Sequence, residues 1–213
     1  MIKALIFDFD GVIVDSEKLW LNAKINTLKK LHIKLPKVSD HKKFLGMNST
    51  NFFKELIDRE YLKKNRKKIL FTYKKISKQY KKFYPKMNYE IYKLIKSTKI
   101  EKFIVSNNSK NYIVKVLNHH NLKKFFKKKN IFCFKAPRLQ KPSPYGYLKI
   151  LSEFKFKPKE VIIIEDSESG IKAAKLAKLK NIFKFSKKSV NRLSEGVVNF
   201  KNSKTILNFI NKK

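Results

Sequence analysis

The chain has 213 residues, of which 42% are hydrophobic and 13% aromatic, and its formal net charge is +36. This apolar content excludes a disordered chain, and the length allows one large domain or a core domain with a smaller second one. The single cysteine, Cys133, excludes an intramolecular disulfide and a cysteine-rich metal site.

Short apolar runs recur along the chain, and each ends in polar or small residues. Segments with helical spacing separate most of these runs, which is typical of parallel strands covered on both faces. The alternation predicts an α/β fold with a doubly wound parallel sheet. The five predicted strands lie within residues 4–10, 102–108, 131–137, 161–169 and 181–186. The predicted helices lie within residues 89–98, 111–120, 145–154 and 169–179.

Residues 16–82 interrupt this alternation. No strand-like run appears in most of this segment, and its apolar residues recur at three- and four-residue steps, which is typical of helices. Pro85 marks the return of the chain to the alternating pattern. The sequence therefore predicts an α-helical cap domain at residues 16–82, inserted into an α/β core domain formed by residues 1–15 and 83–213.

Polar residues follow four of the predicted strands. In an open parallel sheet, ligands bind beyond the carboxyl ends of the strands, so these side chains would converge on one crevice. The sequence thus predicts a functional site at this edge of the sheet. The converging residues are Asp8, Asp10, Ser106, Asn107, Lys141, Glu165 and Asp166.

These residue types suit phosphoryl transfer. A phosphate dianion would repel Asp8 as a carboxylate nucleophile unless Mg²⁺ neutralised both, and Asp8 and Asp166 offer the hard oxygen ligands which that ion prefers. Lys141 would add positive charge beside the nucleophile. Asp10 is placed to give a proton to the leaving alkoxide and later to take one from water.

Ser106 and Asn107 precede a predicted helix, where backbone N–H groups favour an anion. Taken singly, however, the candidate residues have structural explanations. Ser106 alone is typical of a helix cap, and Lys141 alone of a surface lysine. Asp166 with the following serine would also cap a helix. The functional interpretation depends on the order and placement of the whole group.

Four segments, taken in chain order, resemble the motifs of the haloacid dehalogenase superfamily of phosphotransferases. The resemblance is strongest with the group that carries an inserted helical cap and includes phosphoglycolate phosphatase and β-phosphoglucomutase. It spans nearly the whole chain, from Phe7 to Ala174. The four segments are DFDGVIVDSE (8–17), VSNNS (105–109), KPSPYGYL (141–148) and IIIEDSESGIKAA (162–174).

The resemblance implies a role for each matching residue. Asp8 would be the phosphorylated nucleophile, and Asp10 the acid–base group, which also offers its carbonyl oxygen to Mg²⁺. Ser106 and Lys141, with the amide of Asn107, would bind the phosphoryl group of the substrate.

The resemblance also implies a metal site and an activity. Asp166 would complete the Mg²⁺ site, with Glu165 in support. The dehalogenases of the superfamily lack the second aspartate, so Asp10 favours phosphoryl transfer over dehalogenation. The implied activity is a Mg²⁺-dependent phosphatase acting on a small phosphate monoester, such as a sugar phosphate or a phosphoglycolate-like acid. The substrate-specificity loop of the cap corresponds to residues 44–56, with Lys42 and Lys43 beside it.

Three alternatives remain at this point. A phosphomutase of the β-phosphoglucomutase type would use the same residues, and an inactive relative would keep only the fold. A polyanion- or nucleic-acid-binding protein would exploit the net charge of +36, but only four of the 52 basic residues are arginines and the lysines are spread along the chain.

The expected partner is therefore a small phosphorylated metabolite, with no specific nucleic acid and no membrane. No segment approaches the roughly 18 apolar residues of a membrane span, and Asp8 interrupts the first apolar run before signal-peptide length. We expect a cytoplasmic protein that is a monomer or a weak homodimer.

Overall fold

The computed structural model describes residues 1–44, 49–186 and 196–212, without the side chains of Lys42 and Lys43. The predicted specificity loop at residues 44–56 therefore lies partly outside the described residues, as do the side chains of its two neighbouring lysines. The chain forms two compact units, one from Met1–Asp15 with Lys86–Lys213 and the other from Ser16–Pro85.

The described part of the first unit contains eight strands in two sheets. Six strands form one parallel sheet in the order β5-β4-β1-β6-β7-β8, and β2 pairs with β3 in an antiparallel ribbon. The strands are β1 (Ala4–Phe7), β2 (Val14–Asp15), β3 (Lys86–Met87), β4 (Glu101–Ser106), β5 (Ile131–Cys133), β6 (Val161–Glu165), β7 (Asn181–Phe185) and β8 (Val197–Phe200).

Eight α-helices lie within the described residues, three in the second unit and five in the first. They are α1 (Glu17–Lys30), α2 (Ser49–Leu56), α3 (Arg59–Tyr80), α4 (Tyr89–Ser97), α5 (Lys110–His119), α6 (Tyr145–Glu153), α7 (Glu168–Leu176) and α8 (Ser203–Asn211). None of these described helices has both the length and the apolar character needed to cross a bilayer.

The core of the first unit lies around its central strands. Every residue of β1 and of β6 is buried, so these strands are covered on both faces, as their continuous apolar runs predict. The predicted doubly wound α/β fold is confirmed. The sequence prediction missed β8 and the helix after it, α8. Strand β8 is hard to recognise because it is four residues long and only its two ends are buried.

The second unit is helical, as its three- and four-residue spacing predicts. Helices α1 and α3 pack against each other, and α2 contacts α3. Their buried faces meet in a cluster that includes Leu28, Phe52, Phe53 and Ile69. The rings of Phe52 and Phe53 pack edge to face, with their centroids 5.4 Å apart. Burial of an amphipathic face in this way stabilises helices that would be marginal alone.

Candidate active site

The register of the parallel sheet brings the ends of neighbouring strands to one level. Phe7, at the end of β1, pairs with Ile104 of β4 on one side and with Ile164 of β6 on the other. Asp8 keeps this alignment, since its backbone N–H donates to the carbonyl of Ile164 at 2.9 Å. Asp8 and Glu165 therefore leave adjacent strands side by side at the carboxyl edge of the sheet, where the sequence predicts a site.

Lys141 lies between two buried carboxylates. Its Nζ atom lies 2.5 Å from Oδ1 of Asp8 and also donates to Oε1 of Glu165. The side chain of Lys141 is 4% exposed, and that of Glu165 is fully buried. Because an unpaired charge in such surroundings is very unfavourable, each of these three groups holds the others in place.

Burial has the largest effect on the protonation of Asp8. It raises the pKa of Asp8 to about 7, against the opposing influence of Lys141, and the nearby charges of Glu165 and Asp10 add to the rise. Burial alone would lower the pKa of Lys141, but Asp8 and Glu165 outweigh it and hold that pKa well above its ordinary value. Lys141 therefore stays charged, and a further cation near Asp8 would favour its carboxylate form.

Three acids at this edge could share a metal ion. Asp8, Glu165 and Asp166 each place one carboxylate oxygen within 4.8 Å of the other two. The charge of Asp10 also raises the pKa of Asp8, so four acids lie in this region, and Lys141 contacts two of them, Asp8 and Glu165. Hard oxygen donors and a local excess of negative charge fit a divalent cation such as Mg²⁺.

Both carboxylate oxygens of Glu165 already accept hydrogen bonds. The hydroxyl of Tyr147 donates to Oε1 at 2.8 Å, and Lys141 donates to the same oxygen. Ser167 donates to Oε2 at 3.1 Å. Gly170 leaves room for this carboxylate, because a Cβ atom at that position would overlap it. This arrangement suits the supporting role predicted for Glu165 better than a role as a main metal ligand.

The loop after the two aspartates is fixed by a glycine and an asparagine. Gly11 has a φ of +87°, and a Cβ atom there would overlap the carboxylate of Asp166. The buried side chain of Asn88 donates to the carbonyls of Gly11 at 3.0 Å and of Val12 at 2.6 Å. Asn88 therefore ties the loop to the segment that precedes α4, and Gly11 lets the loop pass close to Asp166.

The last residue of β4 and the residue after it supply the predicted phosphate-binding groups. The hydroxyl oxygen of Ser106 accepts from the backbone N–H of Asn108 at 3.0 Å. The side chain of Asn107 donates to the carbonyl of Lys141 at 3.2 Å and accepts from its backbone N–H at 2.9 Å. Asn107 thus uses its side chain to hold the loop of Lys141, which leaves its backbone N–H as the candidate phosphate contact.

Asn108 is a site residue that the sequence prediction missed. Its side-chain amide donates to Oδ2 of Asp10 at 3.2 Å. Its place in the VSNNS segment, two residues after Ser106, was the available signal. Tyr147 and Ser167 were also missed, because a tyrosine within a helix and a serine before one have ordinary structural explanations. Ser167 does cap α7, since its side chain accepts from a backbone N–H of the first turn.

All seven predicted site residues lie near one another in the structure. Lys141 joins Asp8 to Glu165, and Asn107 holds the backbone of Lys141. Asn108 contacts both Ser106, the last residue of β4, and Asp10, and a carboxylate oxygen of Asp166 lies within 4.8 Å of one of Asp8. The structure therefore assembles the predicted residues in one place within the first unit.

The sequence matches the family model of haloacid dehalogenase-like hydrolases over residues 5–184. The chain belongs to this family. The family resemblance of the four motifs is confirmed, as is the prediction that the protein is an enzyme.

Two curated relatives of this hydrolase carry phosphatase names. A phosphorylated carbohydrates phosphatase of Thermotoga maritima is 26% identical over 187 residues, which cover 85% of this chain and 84% of the relative. A phosphoglycolate phosphatase of Aquifex aeolicus is 26% identical over 175 residues, which cover 82% of this chain and 81% of the relative.

A solved structure shares the fold of the hydrolase. It is a Thermotoga maritima protein provisionally named β-phosphoglucomutase, with a TM-score of 0.64 and 23% identity, and the match covers 99% of both chains. The likeness at this level of identity concerns the fold.

The raised pKa of Asp8 predicts how stability of the metal-free hydrolase depends on pH. The folded protein keeps a proton up to a pKa of about 7 that the unfolded chain loses near pH 4. The proton on Asp8 therefore adds to the free energy of unfolding below about pH 4, and this contribution is lost as the pH rises toward 7. At pH 8 with a chelator, Asp8→Asn should melt about 2–6 °C above the parent.

The difference in melting temperature between Asp8→Asn and the parent should be smaller at pH 5 than at pH 8. Mg²⁺ should then raise the melting temperature of the parent more than that of Asp8→Asn, because the variant lacks one carboxylate ligand. Differential scanning fluorimetry at both pH values, with and without Mg²⁺, measures these effects. A variant that melts below the parent at pH 8 in chelator would contradict the assignment of Asp8 as an unfavourably buried acid.

Proposed function

We propose that this hydrolase is a Mg²⁺-dependent phosphatase that cleaves a small phosphate monoester through an aspartyl-phosphate intermediate. The observation that carries the proposal is the buried Asp8, held by Lys141 and placed among further acids that suit a metal ion. A carboxylate that is fixed, partly dehydrated and next to a cation site suits nucleophilic attack on phosphorus.

In the first step, a carboxylate oxygen of Asp8 forms a bond to phosphorus while the bond from phosphorus to the substrate oxygen breaks. Lys141 stabilises the charge that develops on the phosphoryl oxygens, and its short contact with Asp8 keeps the attacking group in position. The hydroxyl hydrogen of Ser106 and the backbone N–H of Asn107 are proposed to bind the other phosphoryl oxygens. Bound Mg²⁺, with Asp8 and Asp166 among its ligands, would offset the repulsion between carboxylate and phosphate.

Asp10 is proposed as the proton carrier of both steps. Its carboxyl group gives a proton to the leaving alkoxide, which departs as an alcohol. Asp10 then takes a proton from water as the water oxygen attacks the aspartyl phosphate, which restores Asp8 and releases inorganic phosphate. Asn108 donates to Oδ2 of Asp10 and so orients this carboxyl group.

The names of the curated relatives support a substrate class. One relative is named for phosphorylated carbohydrates and the other for phosphoglycolate. We accordingly propose a sugar phosphate or a phosphoglycolate-like acid as the substrate. A cytoplasmic enzyme that is a monomer or a weak homodimer, with no specific nucleic-acid partner, completes the proposal.

A hydrolysis screen tests the proposed activity directly. Purified protein is incubated with phosphorylated metabolites and with p-nitrophenyl phosphate, in Mg²⁺ or in chelator, and inorganic phosphate is measured. We expect turnover that requires Mg²⁺ and that falls by more than about 10⁴-fold in Asp8→Asn, because the nucleophile is lost. Equal turnover by the parent and the folded Asp8→Asn variant would rule out the mechanism.

Asp10→Asn separates the two proton-transfer steps. p-Nitrophenolate leaves without a proton, so the first step should survive the substitution, whereas activation of water in the second step should not. Rapid-mixing kinetics should therefore show one equivalent of p-nitrophenol released quickly, followed by turnover about 10²–10⁴-fold slower than in the parent. Unchanged steady-state turnover with p-nitrophenyl phosphate would remove Asp10 from the second step.

A phosphomutase is the second candidate, favoured by the structural likeness to the protein provisionally named β-phosphoglucomutase. A mutase returns the phosphoryl group from the aspartate to a second hydroxyl instead of to water. With a hexose 1-phosphate, a mutase should form the hexose 6-phosphate with little inorganic phosphate, and a phosphatase should form the free sugar. Product analysis by nuclear magnetic resonance distinguishes them.

A further inference from the structure

Tyr147 contacts two members of the buried charge cluster at once. Its side chain lies in α6 and the residue is 1% exposed. The hydroxyl donates to Oε1 of Glu165 at 2.8 Å, and the Nζ atom of Lys141 lies 5.7 Å from the centre of the tyrosine ring. Tyr147 is therefore bound to the acid through its polar end and to the cation through its ring.

The hydroxyl of Tyr147 is suited to act as a lasting donor. It makes its hydrogen bond to Glu165 between two side chains that are both buried. Glu165 is fully buried and shares one carboxylate oxygen between Tyr147 and Lys141. A buried acid needs such donors, and the oxygen that accepts from Tyr147 is the same one that accepts from the ammonium of Lys141.

The start of α6 is packed tightly enough to fix Tyr147. A Cβ atom at Gly146 would lie 2.7 Å from Cγ1 of Val105 and 3.2 Å from the ring of Phe134, so the first turn of the helix rests closely on β4. Lys141 precedes this helix by only a few residues. The cation and the tyrosine that holds its partner acid are thus carried by one short, well-packed segment.

We propose that Tyr147 is a positioning residue for phosphoryl transfer: through Glu165 it fixes the ammonium group of Lys141 at the nucleophile Asp8. This inference rests on the proposed function, because the reaction at Asp8 is what the positioning serves. A purely structural role for Tyr147 would affect stability and leave the rate of the chemical step unchanged.

Tyr147→Phe tests the proposal in the full chain with Mg²⁺ and p-nitrophenyl phosphate. The substitution keeps the ring and removes one donor to a buried acid, so kcat should fall about 10-fold while KM changes less than about 2-fold. Tyr145→Phe is the matched control. It makes the same chemical change on the same helix at a residue that is 40% exposed, and it should leave both constants unchanged.

A double-mutant cycle with Glu165→Gln tests whether Tyr147 acts through Glu165. In the Glu165→Gln background, Tyr147→Phe should lower kcat by less than about 2-fold, because the group it acts through has already been altered. An equal loss in both backgrounds, or a kcat for Tyr147→Phe within about 2-fold of the parent, overturns the positioning role. The proposed function has a separate criterion, since it fails when the parent itself shows no turnover that depends on Mg²⁺ and Asp8.

If Tyr147→Phe does not fold, 3-fluorotyrosine at position 147 replaces it. This residue keeps the size and the hydroxyl donor of tyrosine but makes the hydroxyl more acidic. A change in kcat of about 2-fold or more at constant melting temperature supports the positioning role, and an unchanged kcat overturns it.

Discussion

The ion pair that Lys141 makes with Asp8 and Glu165 is the interaction on which the rest of the site depends. Asp8 follows β1 and Glu165 is the last residue of the adjacent strand β6, whereas the lysine comes from a different segment. A buried pair of this kind contributes little net stability, but removal of the lysine that both acids share is expected to cost about 3–5 kcal/mol because two buried acids are left unpaired. The main effect of the ion pair is therefore to hold the three flexible side chains of Lys141, Asp8 and Glu165 in a single arrangement.

Neutral groups complete what this charged cluster begins. The hydroxyls of Tyr147 and Ser167 both donate to Glu165, the most deeply buried of the acids. The side chain of Asn107 accepts from the backbone N–H of Lys141 and so holds it in place. Gly11 then allows the close approach of Asp166, and Gly170 that of Glu165. Donors and glycines with no chemical role of their own thus determine where the reactive groups lie, as in other pre-organised sites.

The charge of the whole chain and the charge of the site have opposite signs. A net charge of +36 suggests a protein built to bind polyanions, yet the described site brings four acids together, two of them paired with the buried Lys141. Surface lysines are screened by salt over about 8–10 Å, whereas buried charges interact strongly at close range. Lys24 and Lys102 are as buried as Lys141, so what distinguishes Lys141 is its pairing with Asp8 and Glu165, which composition alone does not reveal.

The parallel sheet and the acidic site could be predicted because their signals are local. Apolar runs of four to six residues specify buried strands, and acids directly after such runs must lie at the carboxyl edge of the sheet. The sequence could not reveal that Tyr147 contacts Glu165 or that Asn108 contacts Asp10, because those contacts depend on how helices and loops pack. Strand β8 was missed for another reason, since a four-residue strand that is buried only at its ends lacks a distinct periodicity.

The short ribbon of β2 and β3 marks the place where the second unit is inserted into the first. The two strands are antiparallel neighbours, as in a β-hairpin. Where a hairpin would have a short turn between its strands, this chain has the whole second unit, Ser16–Pro85. Closing a longer loop costs little additional entropy, and the ends of this loop are already fixed by pairing and by Asn88. The inserted helices can therefore be exchanged without rebuilding the parallel sheet, which makes the ribbon a natural point for domain grafting.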